Sequence, residues 1–216
     1  PDVKRSDNTD VRISMAALGG LVPGDDGFRE LDELVDLYDD WIQRRLEEIP
    51  LLPRLYHDVA RANLEQCARA TRRMREGLEY LRSDPIAYRA FQLANYAVLL
   101  QQLRSNLNPR LIDRVEKTGL VFTERYPGEG VVLDGQRGYW RPFQIAFILL
   151  NLSSASDPRS TDRDVIDLLW FPTGGGKTEA YLGLTAFVIF LRRLRDTNDK
   201  GTQVLMRYTL RLLTAQ

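Results

Sequence analysis

Thr173-Gly-Gly-Gly-Lys177-Thr178 combines residue types and spacing suited to holding a nucleotide phosphate. Glycines let the backbone curl with its N–H groups turned inward around an anion. A helix beginning at the end of such a turn adds unpaired N–H groups and the positive end of its dipole. From there Lys177 reaches the β- and γ-phosphates and the Thr178 hydroxyl ligates Mg²⁺. The context matches. The apolar run Val165-Ile-Asp-Leu-Leu-Trp170 precedes the glycines, and a largely uncharged helical pattern follows from Thr178 to Leu194. Strand, Gly-rich turn and helix in that order predict a phosphate-binding loop, with Thr173, Gly174, Gly175, Gly176, Lys177 and Thr178 as its residues.

The elements expected to position this loop are readable on both sides. Phe143 to Leu152 reads as a helix. Val165 to Phe171 reads as a first core strand, and Gln203 to Arg207 as a second strand reached by a right-handed crossover. These predict a parallel sheet, which two strands alone cannot bury on both faces, so the sheet is expected to continue beyond these residues. Upstream the texture is helical. Apolar residues at Leu31, Leu34, Val35, Tyr38, Trp41, Ile42, Leu46 and Ile49 mark an amphipathic helix from Phe28. Pro50 and Pro53 interrupt it. A second helix with Leu64, Cys67, Met74, Leu78 and Leu81 follows, so an antiparallel hairpin is expected. Asp84-Pro85 is an N-cap with Pro at the first helical position, starting a third helix to about Asn106. Thr118 to Thr123 and Gly130 to Asp134 are short β-like runs beside this frame.

The fold class expected is therefore α/β: an incomplete RecA-like phosphate-loop domain with a parallel sheet, preceded by an α-helical accessory region with a long helical hairpin. Three parts follow. Residues 1–27 are an irregular segment, a loop or a strand remnant around Val11-Arg-Ile-Ser-Met15, 28–110 the helical region, and 111–216 the first part of the motor domain.

Composition narrows the class. Thirty basic residues balance thirty acidic ones in 216, so net charge offers no argument for nucleic acid, and any DNA contact must come from local patches. Arg69, Arg72, Arg73 and Arg75 are one such patch. It reads either as phosphate-tracking or as a solvated face paired with acidic neighbours. Tyr38 and Trp41, at helical spacing, read as packing rather than base-stacking residues. A single cysteine, Cys67, rules out an intrachain disulfide and a cysteine-rich metal site. No segment resembles a signal peptide, and Ala180 to Leu191 is too short to span a bilayer, so a cytoplasmic location is expected.

The Thr-Gly-Gly-Gly-Lys-Thr core resembles motif I of superfamily 2 helicases and translocases. Phe171 departs from that pattern, standing where Ala or Gly is usual. Trp140-Arg-Pro-Phe-Gln144 is similar to the Arg-x-x-Gln element that precedes motif I, which implies Arg141 and Gln144 on the adenine side, the Gln amide both donating and accepting. Gln203 to Gln216 resembles motif Ia, which implies Thr209 and Arg211 at the nucleic-acid backbone. These three segments, with Ala90-Phe-Gln-Leu-Ala-Asn95, are together similar to the DrmA helicases of bacterial DISARM anti-phage systems.

The resemblance implies ATP and Mg²⁺ as cofactors, DNA as substrate, and a DrmB-like subunit and a methyltransferase as partners. No acidic box follows the loop and no second motor lobe is present in the 216 residues. The chain thus reads as a fragment from the N-terminal side of a helicase that does not hydrolyse ATP alone. A nucleotide-gated interaction module, docking partner subunits or DNA without unwinding, remains the alternative. A phosphate-loop kinase is a third, in which Gln144 and the motif Ia-like stretch would be coincidences.

Overall fold

The protein is described here by a computed structural model, which covers residues 3–5, 7–104, 112–115, 119–122, 137–170 and 175–207. Among the described residues six helices dominate: α1 (Met15–Leu18), α2 (Phe28–Glu48), α3 (His57–Ser83), α4 (Pro85–Arg104), α5 (Pro142–Ser156) and α6 (Lys177–Arg195). Strands are short. β1 (Ile13–Ser14) pairs antiparallel with β4 (Tyr139–Trp140), placing Ile13 opposite Trp140, and β2 (Ile112–Val115) pairs antiparallel with β3 (Gly119–Phe122).

The expected parallel sheet is corrected. Among the described residues both sheets are two-stranded and antiparallel, and the architecture is α-helical rather than that of a RecA-like α/β domain. Residues 165–170 and 203–207 have strand-like composition but join no ladder. The physical reason is that β-propensity describes a side chain that fits a half-buried pleated surface, and no such surface forms around these residues. Ile166, Leu168 and Trp170 stand 94%, 83% and 86% exposed, where a parallel strand would be covered on both faces. The expected run at 130–134 lies outside the described residues.

The helices follow from local chemistry. Asp84 Oδ1 accepts from the backbone N–H groups of Ile86 and Ala87 (2.9 and 3.0 Å), so it caps α4, and Pro85 takes the first position, where an N–H has no intrahelical partner. Helices α2 and α3 run antiparallel, joined by two short 3-10 turns, Ile49–Leu51 and Arg54–Tyr56. Their near half is tied by Arg82 to Asp32 (2.6 Å) and Arg75 to Asp36 (2.9 Å); their far half closes on a small cluster of Ile42, Ile49 and Leu64. Tyr38 and Trp41 stack on the hairpin surface, with ring centroids 5.8 Å apart and planes 6° from parallel.

One hydrophobic cluster runs through the remaining elements. Leu31 and Leu34 of α2, Leu78 and Leu81 of α3, Phe91 and Leu99 of α4, Ile145 and Leu149 of α5, and Phe187 and Leu191 of α6 are all buried in it. The first residues contribute more than their composition suggests: Val11, Ile13, Met15, Ala16 and Leu18 belong to the same cluster. The far end of α6 is held by Arg195, which donates to the Tyr80 hydroxyl (2.7 Å) and to Asp84 (2.9 Å), while Arg192 pairs with Asp199.

Buried polar contacts set the register of β4 on this core. The Trp140 indole N–H donates to Asn95 Oδ1 (2.6 Å), and Asn95 Nδ2 donates to the Phe91 carbonyl (2.8 Å). An unpaired buried donor costs about 1–3 kcal/mol. Asn95→Ala is therefore expected to lower stability by about 2 kcal/mol, seen as reduced hydrogen-exchange protection in α4 and β4. Unchanged protection would show that the indole finds another acceptor.

Candidate nucleotide site

The site is built where the α5 and α6 N-termini meet. Gly176 is the residue before α6 and has φ +85° and ψ 28°, a left-handed conformation that costs a residue with a Cβ roughly 1–2 kcal/mol. A Cβ at Gly176 would also lie 2.6 Å from Gln144 Nε2 and 3.2 Å from Glu179 Oε2, so the Gln144 amide would have to shift from its place. The turn leads directly into Lys177 and Thr178, the first residues of α6. Lys177 is half-buried and Thr178 exposed. Glu179 completes the first helical turn, where a carboxylate suits the dipole, and its Oε2 is buried with no hydrogen-bond partner among the described residues.

The Arg141-Pro-Phe-Gln144 element grips this turn from behind. Arg141 Nη1 donates to the Gly175 carbonyl and Gln144 Nε2 donates to the Gly176 carbonyl, both at 2.7 Å. Gln144 Oε1 in turn accepts from the Arg141 backbone N–H at 2.9 Å, closing the start of α5. Gln144 is only 4% exposed, so its amide is held on both sides by backbone. The resemblance to the Arg-x-x-Gln element implies this residue beside the base; in the structure its amide also shapes the loop. The spacing to the glycines, 32 residues for the Gln144 bond, carried no signal that carbonyls would be its partners.

A Gln144→Glu substitution separates these properties. At neutral pH a carboxylate would face the Gly176 carbonyl, and burial disfavours its charge, so the proton is retained to higher pH than usual. The loss is expected to be about 1–3 kcal/mol of loop stability at neutral pH. Affinity for an ATP analogue should recover as pH falls, because the protonated acid donates again. A penalty independent of pH would refute the donor role.

Behind the turn, helix α3 holds the segment that leads into it. Arg73 binds Asp167 through two nitrogens (2.7 and 2.8 Å) and approaches Asp162 at 3.3 Å, and Arg69 donates to Asp162 at 2.6 Å. The hydrogen bonds to Asp167 raise the Arg73 guanidinium further above its ordinary value. The hydrogen bond from Arg69, with the Arg73 charge behind it, holds the Asp162 carboxyl below the usual carboxylate range. Arg72 and Arg75 pair with Glu76 and with Asp36 and Asp39. The arginine cluster is thus neutralised by acidic neighbours.

Residues 203–207 lie along α6. With Tyr181, Leu184, Thr185 and Val188 they line a groove of about 560 Å³. Of the sequence-predicted site residues, the structure brings Arg141, Gln144, Gly175, Gly176, Lys177 and Thr178 together. Thr173, Gly174, Thr209 and Arg211 lie outside the described residues. Arg73 was named only as one of four arginines in a patch and Glu179 not at all: both are charged residues among many, and only the burial of Arg73 and of Glu179 Oε2 marks them. Among the described residues no helix is long and apolar enough to cross a membrane.

No family model matches the chain. Over 195 residues, 87% of its length, the chain is 36% identical to the DISARM protein DrmA of Bacillus paralicheniformis. The chain spans 16% of the length of that relative. The matched stretch is too long and too similar for coincidence, and it relates this chain to a DISARM protein.

Proposed function

We propose that this chain is the nucleotide-engaging region of a DrmA-like protein that acts in anti-phage defence, and that the whole protein is an ATP-dependent DNA helicase or translocase of superfamily 2. The observation that carries this reading is the Gly175–Gly176 turn, clamped through its carbonyls by Arg141 and Gln144 and opening onto Lys177 and Thr178. With the carbonyls turned toward α5, the turn is held from behind and leads into the N-terminus of α6, whose positive dipole end suits an anion.

In this reading ATP and Mg²⁺ are the cofactors. Lys177 neutralises phosphate charge, Thr178 offers its hydroxyl to Mg²⁺, and Thr173 to Gly176 wrap the phosphate oxygens. Arg141 and Gln144 form the wall on the adenine side and set the loop. Thr209 and Arg211 contact the DNA backbone. A DrmB-like subunit and a methyltransferase are the partners, and the cytoplasm is the place of action. The division into an accessory helical region at 28–110 and a nucleotide-engaging region from 111 belongs to the same proposal.

A second reading, a nucleotide-gated docking module, is favoured by the ion pairs from α3 to Asp162 and Asp167, which tie the hairpin to the loop. DNA-stimulated ATP hydrolysis by the full-length protein, wild type beside Lys177→Ala, tests both. Stimulated turnover that requires Lys177 supports the motor. ATP-dependent partner assembly without stimulated turnover supports the module, and Lys177-independent behaviour sinks both.

A further inference from the structure

We infer that Arg73 is a positioning residue of the nucleotide site, acting through Asp167 on the segment that leads into the glycine turn; this rests on the nucleotide reading above. Among the arginines of α3 paired to carboxylates, Arg73 differs in burial. The side chains of Arg61, Arg69, Arg72, Arg75 and Arg82 keep 57%, 42%, 65%, 49% and 38% of their exposure, whereas that of Arg73 keeps 7%. A guanidinium taken out of water is costly unless its partner is held in good geometry, and the two parallel bonds to Asp167 provide that geometry.

The partner segment has few other anchors. Residues 165–170 join no helix or ladder, and Ile166, Leu168 and Trp170 project away from the core. Besides the bonds from Arg69 and Arg73, side-chain anchoring comes from Arg163, which donates to the Ser154 carbonyl at 2.8 Å, and a turn closes from the Val165 N–H to the Asp162 carbonyl at 3.1 Å. Both of those lie upstream of Asp167. Among the described residues of this stretch, which ends at Trp170, the bond to Asp167 is therefore the last side-chain tether. It fixes where the approach to the turn leaves α3.

Helix α3 also supports the other wall of the site. Gly77, one turn beyond Arg73, packs against the Leu149 backbone of α5, the helix that carries Gln144. One rigid helix thus holds both the approach to the glycine turn and the helix that clamps it. Arg73 supplies the first of these contacts.

The test is the affinity of the full-length protein for a fluorescent non-hydrolysable ATP analogue with Mg²⁺, in wild type, Lys177→Ala, Arg73→Met, Asp167→Asn and the double Arg73→Met/Asp167→Asn. Each single change in the pair is expected to weaken binding about tenfold, with the double no weaker than the worse single, because both remove one interaction. Affinity is read well below each variant's own thermal midpoint, with folding checked by far-UV circular dichroism, which separates positioning from general loss of fold, and Arg73→Lys should recover part of the affinity. If Arg73→Met does not fold, Asp167→Asn decides alone. Lys177-dependent binding that Asp167→Asn leaves within about twofold of wild type, or single effects that multiply in the double, overturns the inference. Binding that ignores Lys177 is a different result: it overturns the nucleotide reading, and the inference with it.

Discussion

Gly77→Ala is expected to destabilise the packing of α3 on α5 by about 2 kcal/mol or more, even though alanine favours a helix over glycine by about 1 kcal/mol. The reason is what the new methyl group meets. A Cβ at Gly77 would collide with the Leu149 carbonyl oxygen and lie 3.2 Å from the carbonyl carbon. These are backbone atoms inside a helix, so no side-chain rotation relieves the overlap and the two helices must separate. Leu149 is fully buried, and Leu78 and Met74 beside Gly77 lie in the same cluster, so separation loosens the centre of the core. Overpacking of this kind costs about 1–3 kcal/mol when side chains adjust, and more when backbones must move. Native-state proteolysis of the full-length protein checks this, with cleavage in α3 or α5 expected to accelerate by about tenfold or more. A rate equal to wild type would mean that the helices re-seat without cost.

Lys177→Ala is expected to reduce DNA-stimulated ATP turnover by about a hundredfold or more, the usual consequence of removing a charged group that stabilises developing phosphate charge. Lys177 begins α6, where alanine is an equally good helix former, and neither the Arg141 nor the Gln144 bond to the turn involves it. Loss of turnover with an unchanged thermal midpoint would therefore report on chemistry. Retention of turnover within about tenfold would place the phosphate elsewhere and remove the basis of the proposed function.

Much of the helical frame was legible because it is local. The 3.6-residue spacing of apolar side chains marked α2 and α3, Asp84-Pro85 marked the start of α4, and the uncharged run after the glycines marked α6. The first residues were legible only in part. Val11 to Met15 read as a loop or a strand remnant, and β1 forms there, but their burial depends on pairing with β4 and packing with α4, neither of which leaves a trace in neighbouring residues. The parallel sheet expected at 165–170 and 203–207 was an inference from composition. A ladder needs partners at a definite distance, and a run of Val, Ile, Leu and Trp cannot say whether they are there.

What the sequence by itself determined was the helices, their caps and a glycine turn at the head of α6, because each depends on residues within a turn or two of one another. Tertiary structure alone decided which arginine of α3 is buried, and that the Gln144 amide is held by the Gly176 carbonyl. Arg73 and Asp167 are 94 residues apart, and Gln144 and Gly176 are 32 apart. Contacts across such separations exist only once the helices have packed, and packing chooses among side chains that the sequence leaves equivalent.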